Sequence, residues 1–136
     1  MQMRLADFVA EFLLQNGITA CFTVTGGGAM HLNDALGHKD GLKCLYNHHE
    51  QACAIAAESY ARIHNKIAAV CVTTGPGGTN AITGLIGGWL DSIPILFLSG
   101  QVKFSTTIAS RPGLPLRQLG DQEINIVDIV KPITKY

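Results

Sequence analysis

Two features of the chain predict an α/β fold, doubly wound around a parallel sheet with helices on both faces. Its apolar runs near 18–24, 42–46, 67–73 and 93–99 are nearly continuous rather than alternating, as strands covered on both sides require. Stretches with helical spacing and short polar punctuation separate these runs, and strands alternating with helices call for parallel crossovers.

Taken in order, Leu5, Phe8, Val9, Phe12 and Leu13 keep the i, i+3, i+4 spacing of an amphipathic helix, which Asn16-Gly17 closes. Ile18 to Val24 follows as a strand, and Gly26-Gly27-Gly28 turns the chain into a short helix around Met30 to Leu36. Leu42 to Tyr46 reads as a short buried strand. An alanine-rich helix starts near Glu50 and ends at His64-Asn65. The strand from Ile67 to Thr73, a helix from about Asn80 to Leu90 and the strand from Ile93 to Ser99 complete the alternation. From Lys103 to Gly120 the prolines, glycines and small polar residues predict a loop, with Lys103, Arg111 and Arg117 solvated. Ile124 to Val130 predicts a short helix, and Pro132 to Tyr136 the start of a last strand.

At 136 residues the chain fits one domain with a real core. A net charge of zero, a pI near 6.9 and no Lys/Arg cluster argue against nucleic acid and anionic membranes as partners. The apolar stretches are too short to cross a bilayer, and the amino terminus lacks a basic region followed by an apolar run, so a cytoplasmic location is expected. Cysteines at 21, 44, 53 and 71 form no Cys-x-x-Cys pair and read as reduced, buried thiols. His48 and His49 are adjacent and project in different directions, and His31, His38 and His64 have no ligand-spaced partner, so no metal site is expected.

In a doubly wound sheet ligands gather at the carboxyl ends of the strands. The Thr25-Gly26-Gly27 turn, the Thr73-Thr74-Gly75-Pro76 turn and Glu50 all fall at such ends, so three separated segments converge on one edge. Glu50 enters an alanine-rich helix with little side-chain bulk, which places its carboxyl in a tight, largely apolar seam. The plainer account is that Glu50 only favours the helix N-terminus through the macrodipole. The glycine turns do not match a nucleotide-binding loop: Gly26-x-Gly28 is followed three residues later by His31, Gly75-x-Gly77 by Asn80, and no Gly-Lys-Ser/Thr occurs. They read otherwise as tight strand-to-helix turns with Thr79 or Asn80 as the cap.

Five ordered motifs carry a resemblance: His49-Glu50-Gln51, Ala57-Glu58-Ser59-Tyr60-Ala61-Arg62, Thr73-Thr74-Gly75-Pro76-Gly77-Gly78-Thr79-Asn80, Asp91-Ser92-Ile93-Pro94 and Ser99-Gly100-Gln101-Val102. Together they resemble the pyrimidine-binding domain of thiamine diphosphate enzymes, within them the acetolactate synthase-like group, from about Leu5 to Tyr136. The resemblance implies that Gly75, Pro76, Gly77 and Asn80 contact the aminopyrimidine ring of the cofactor and that Thr25, Gly26 and Thr74 border it. It makes Glu50 the acid that hydrogen-bonds the pyrimidine nitrogen opposite the exocyclic amine, favouring the tautomer that takes the thiazolium proton. The implied reaction decarboxylates a 2-oxo acid, pyruvate foremost, and passes the acyl-anion equivalent to a second carbonyl.

The chain departs from the family at His48 (usually arginine), Ser59 (glycine) and Thr25 (proline). The family's Asp-Ala-Phe-Gln-Glu becomes Leu119-Gly120-Asp121-Gln122-Glu123, so an aromatic wall becomes Asp121 while Gln122 is retained to face the reacting centre. An acid there prefers a polar acceptor, and a keto sugar of polysaccharide synthesis stands as the alternative to acetolactate formation; the need for FAD stays open. A noncatalytic α/β module binding a nucleotide or a protein is the reading from a different class. The Gly-Asp-Gly motif with which the family binds the diphosphate and Mg2+ is absent, since Gly120-Asp121 is followed by Gln122. The expectation is therefore the amino-terminal part of a longer enzyme, or a half-enzyme with a separately encoded partner, inactive alone. The family's site forms between subunits of a homodimer or homotetramer, which assigns the small residues of the Glu50 and Asn80 helices, with Trp89, to a two-fold interface.

Overall fold

The computed structural model describes residues 2–135. Four strands, β1 (Ala20–Thr23), β2 (Lys43–Tyr46), β3 (Ala68–Val72) and β4 (Ile95–Ser99), pair in parallel in the order β2-β1-β3-β4. The helices are α1 (Leu5–Gln15), α2 (Met30–Gly37), α3 (Glu50–His64), α4 (Pro76–Asn80), α5 (Ile82–Leu90) and α6 (Ile126–Val130). From β1 the chain winds outward to β2, then crosses back beyond β1 to β3 and β4. The winding therefore reverses between β1 and β3, the place where such sheets open a crevice for ligands.

Period-two alternation along the central strands builds a core on each face. Cys21, Ala69 and Cys71 pack on Ala10, Leu13, Ala35 and Leu36 of α1 and α2. Ala20, Phe22, Ala68, Val70 and Val72 pack on Cys53, Ala54 and Ala57 of α3. The predicted doubly wound α/β class is the observed one. No helix among the described residues is long and apolar enough to cross a membrane.

Several local expectations change. The buried stripe of α1 is Ala10 and Leu13, flanked by Ala6 and Leu14, whereas Leu5, Phe8 and Phe12 are exposed on its outer side. Two apolar stripes run along this helix, and only one meets the sheet. The single helix expected from about Asn80 to Leu90 is two, α4 and α5, because Pro76 starts a turn earlier than the periodicity shows. A proline suits a first helical position, where its missing N–H costs no bond. Neither Thr79 nor Asn80 caps: Gly75 holds the cap position of α4, and the Thr79 hydroxyl donates to the Pro76 carbonyl. The last segment forms a 3-10 turn over Lys131–Ile133 rather than a strand, with the Thr134 hydroxyl donating to the Val130 carbonyl; Tyr136 lies outside the described residues.

Six of the small residues of α3 and α5 are spent inside the chain, while Ala52 and Ser59 stay exposed on α3. A Cβ on Gly84 would overlap that of Ala54, so the two helices meet backbone to backbone, and Cys53, Ala54, Ala57, Ala61, Gly84 and Gly88 are buried. Arg62 ties the pair at its far end, bonding Glu58 on its own helix and Asp91 just beyond α5. Ile55, Ile63, Ile86, Trp89 and Leu90 remain exposed on the outside.

All four cysteines are free. Cys21 and Cys44 are register partners on β1 and β2. The neighbouring Cys21 thiol lowers that of Cys44, and Cys44 together with burial raises that of Cys21. Burial pushes the Cys71 thiol up to about 12 and raises that of Cys53.

Candidate functional site

Two turns meet over the β1/β3 seam. After β1, Thr25 is exposed and Gly26 passes so close to Thr73 that a Cβ there would lie 2.5 Å from the Thr73 Cβ. The Gly28 N–H donates to the Thr73 hydroxyl at 3.0 Å, stitching the first turn to the second. Beneath them the Thr23 hydroxyl donates to the Cys71 carbonyl at 2.7 Å and accepts from Asn33 Nδ2 at 3.2 Å. Thr23 is fully buried, so these bonds satisfy a group that water cannot reach.

After β3 the chain reverses at Gly75, whose φ of +61° is left-handed backbone that side chains resist. Pro76, exposed, starts α4, and Gly77 is buried. Thr74 is buried too, but its hydroxyl donates to Gln101 Oε1 at 2.7 Å and does not face Glu50.

The third segment arrives from β2. The Asn47 N–H donates to the Thr23 carbonyl at 3.0 Å, which continues the sheet to the end of β2. His49 then adopts extended backbone and caps α3, its Nδ1 accepting the Gln51 N–H at 3.1 Å. That bond gives His49 the tautomer protonated at Nε2. Glu50 is consequently the first helical residue.

Glu50 Oε2 accepts a hydrogen bond from Asn80 Nδ2 at 2.9 Å, which joins the start of α3 to the end of α4. Its other oxygen, Oε1, would lie 3.4 Å from a Cβ on Gly77 and accepts no hydrogen bond among the described residues. The carboxylate is half-buried rather than enclosed. It stands at the rim of the α3–α4 seam because it occupies the first turn, with the helix body behind it and the strand ends to one side.

The structure thus brings Glu50, Gly77 and Asn80 together, with Gly75 and Pro76 leading into Gly77 and Gly26 packed on the same Thr73 side chain as Gly77; Thr25 is joined to them only through Gly26. Gln122 reaches the same turn by its backbone: a Cβ on Gly75 would overlap the Gln122 carbonyl oxygen, and the Gln122 side chain is exposed. Sequence reasoning named Thr73, Gln101 and Glu123 within motifs without giving them a role and did not single out Asn33, yet the polar groups of all four hold the turns in place. Only their position beside glycine turns hinted at that use. Among the described residues no group of three or more His, Cys, Asp or Glu is placed to hold a metal ion.

Comparison with known proteins supplies the decisive observation. The family model described as the thiamine pyrophosphate enzyme, N-terminal TPP binding domain, matches residues 3–129. The chain belongs to this family. The TPP-binding domain is 36% identical over 131 residues to an acetolactate synthase large subunit of Lactococcus lactis, covering 96% of the chain and 21% of the relative. It is 35% identical to the acetolactate synthase isozyme 3 large subunit of Escherichia coli, with the same coverage. Over 134 residues it is 34% identical to the chloroplastic acetolactate synthase of Arabidopsis thaliana, covering 96% of the chain and 18% of the relative. The chain therefore spans about a fifth of the length of the curated relatives it matches.

Proposed function

We propose that this domain binds the aminopyrimidine end of thiamine diphosphate against Glu50. It would do so within an enzyme that decarboxylates a 2-oxo acid, pyruvate foremost, and joins the remaining two-carbon unit to a second carbonyl. The observation that carries this reading is the divided Glu50 carboxylate. One oxygen is fixed by Asn80 at 2.9 Å, and the other is left to accept from a ligand beside the Gly77 backbone. A ring nitrogen carrying a proton suits that free oxygen, which lies beside Gly77 at the rim of the seam. Bound there, the cofactor supplies a nucleophilic carbon and an electron sink for the departing carbon dioxide.

The chain's own residues orient and exchange protons. Asn80 holds the Glu50 carboxylate in one rotamer, so that Oε1 meets the ring at a fixed angle and shares a proton with it. Gly75, Pro76 and Gly77 shape the surface on which the ring rests. Thr25, Gly26 and Thr74 border it through the stitched turns. The diphosphate and Mg2+ belong to residues outside this chain. The relatives named for acetolactate favour pyruvate as acceptor as well as donor: two pyruvates and one proton give one acetolactate and one carbon dioxide.

A second copy closes the site in this reading. Glu50 is open on one side, and the adjoining outer face of α3 and α5 is apolar through Ile55, Ile63, Ile86, Trp89 and Leu90. The proposed assembly is a homodimer, or a tetramer of such dimers, with this face at the two-fold axis.

The test is carbon dioxide release from pyruvate by the complete polypeptide with thiamine diphosphate and Mg2+. Turnover is expected, and Glu50→Gln is expected to lower it by about 10²–10⁴-fold, the usual worth of a positioned proton-transfer group. Equal turnover by Glu50→Gln would overturn the assignment.

A further inference from the structure

The turn that carries Asp121 and Gln122 is clamped on both flanks. The Glu123 N–H donates to the Gly120 carbonyl at 3.2 Å, so Asp121 and Gln122 occupy the two corners of a tight turn, and Gln122 takes a left-handed φ of +53°. The Glu123 carboxylate then folds back over the same turn. Its Oε1 accepts the Ile108 N–H at 2.6 Å, and its Oε2 faces the N–H groups of Leu119 and Gly120 at 3.3 and 3.4 Å. One side chain thereby joins the far limb of the 103–120 loop to the base of the turn. On the other flank Gln101 Nε2 donates to the Ile124 carbonyl at 2.8 Å while its Oε1 accepts from the Thr74 hydroxyl at 2.7 Å.

The clamp matters because of what it presses on. The Gln122 carbonyl occupies the space a Cβ on Gly75 would need, so the turn rests on the glycine that starts α4. No main-chain pairing to a strand holds Gln122 there; the loop before it is irregular apart from two 3-10 turns at Phe104–Thr106 and Ile108–Ser110. A left-handed glutamine is an uphill conformation that persists only when its surroundings fix it. We propose that Glu123 is a positioning residue: its carboxylate gathers three backbone N–H groups to set the Asp121–Gln122 corner against Gly75, and it acts on the reaction through Gln122.

This inference rests on the cofactor reading above and on the family resemblance, which implies that Gln122 faces the reacting centre. Its test is a double-mutant cycle in the complete polypeptide, with Glu123→Ala and Gln122→Ala made singly and together, and Glu123→Gln as the conservative variant. Turnover, thiamine diphosphate affinity in the presence of Mg2+, and tryptic cleavage after Arg117 are read for each. Glu123→Ala and Gln122→Ala are each expected to lower kcat by about 10–100-fold, the scale of a small misplacement near the chemistry. Cofactor affinity should hold within about twofold. Added to Gln122→Ala, Glu123→Ala should lower kcat by no more than about twofold, because the two act as one unit. Cleavage after Arg117 should rise at least about tenfold in Glu123→Ala but not in Gln122→Ala, with Glu123→Gln between wild type and Glu123→Ala, since it keeps one acceptor oxygen. Multiplicative losses in the double variant, unchanged kcat in either single variant, or unchanged cleavage would overturn the proposal. Titration of the unsubstituted protein separates the two failures: absence of thiamine diphosphate binding removes the cofactor reading itself, whereas binding with multiplicative losses removes only the role of Glu123.

Discussion

Glu50 and Asn80 stand thirty positions apart in the chain and meet at 2.9 Å because Glu50 begins α3 and Asn80 ends the short α4 that follows the turn after β3. Their bond leaves one carboxylate oxygen free beside a buried glycine, and the proposed chemistry follows from that asymmetry. Asn80→Ala keeps the carboxylate but frees its rotation, so kcat should fall about tenfold with a smaller loss than Glu50→Gln; steady-state kinetics of the complete polypeptide checks this. A second residue-scale prediction concerns Cys44. Its thiol is lowered by the neighbouring Cys21 thiol, so its folded value lies below the ordinary one. Cys44 therefore contributes stability that is present above its unfolded pKa and is lost as pH falls through the lowered folded value. Iodoacetamide should label Cys44 first and at a lower pH than an ordinary thiol requires, while Cys21 and Cys71 stay unlabelled in the folded protein; peptide mass mapping reads all three.

At the scale of elements, the α3–α5 seam is the tightest constraint. Gly84→Val puts branched bulk against the Ala54 backbone, and overpacking of this kind costs about 1–3 kcal/mol or more. Thermal unfolding should show a clear fall in midpoint, whereas Thr83→Val, exposed on the same helix, should change it little. Much of this layer was legible beforehand. The four apolar runs became β1 to β4 within two residues at each end, and the start of α3 at Glu50 and its close at Asn65 were read from the chain itself. What was not legible had physical causes. Phe8 and Phe12 look like core by spacing, yet α1 has two apolar sides and only the sheet decides which is buried. The split between α4 and α5 was hidden because glycine and proline break the periodicity that marks a helix, though Pro76 suits a first turn. The supporting bonds of Gln101, Asn33 and Glu123 are invisible to any local pattern, since each joins residues brought together by the topology.

The whole molecule is a three-layer sheet domain whose ligand edge follows from its winding: the strand order β2-β1-β3-β4 opens a seam between β1 and β3, and the glycine turns line it. The resemblance to thiamine diphosphate enzymes, read from five motifs, and the family match over residues 3–129 agree on this domain. The exposed stripe of Ile55, Ile63, Ile86, Trp89 and Leu90 belongs to the same scale. Replacing Ile86 and Trp89 by Glu should convert the assembly to monomer in analytical ultracentrifugation and abolish turnover with it, while a dimer that survives both changes places the interface elsewhere. In the proposed site the free oxygen of Glu50 engages the pyrimidine of the cofactor. The most direct test is the rate at which the thiazolium C2 proton of bound thiamine diphosphate exchanges with deuterium, read by proton NMR after acid quench, in the complete protein and in Glu50→Gln. Exchange about 10²–10⁴-fold slower in Glu50→Gln, with the cofactor still bound, is the predicted result; equal rates in the two proteins would contradict the account.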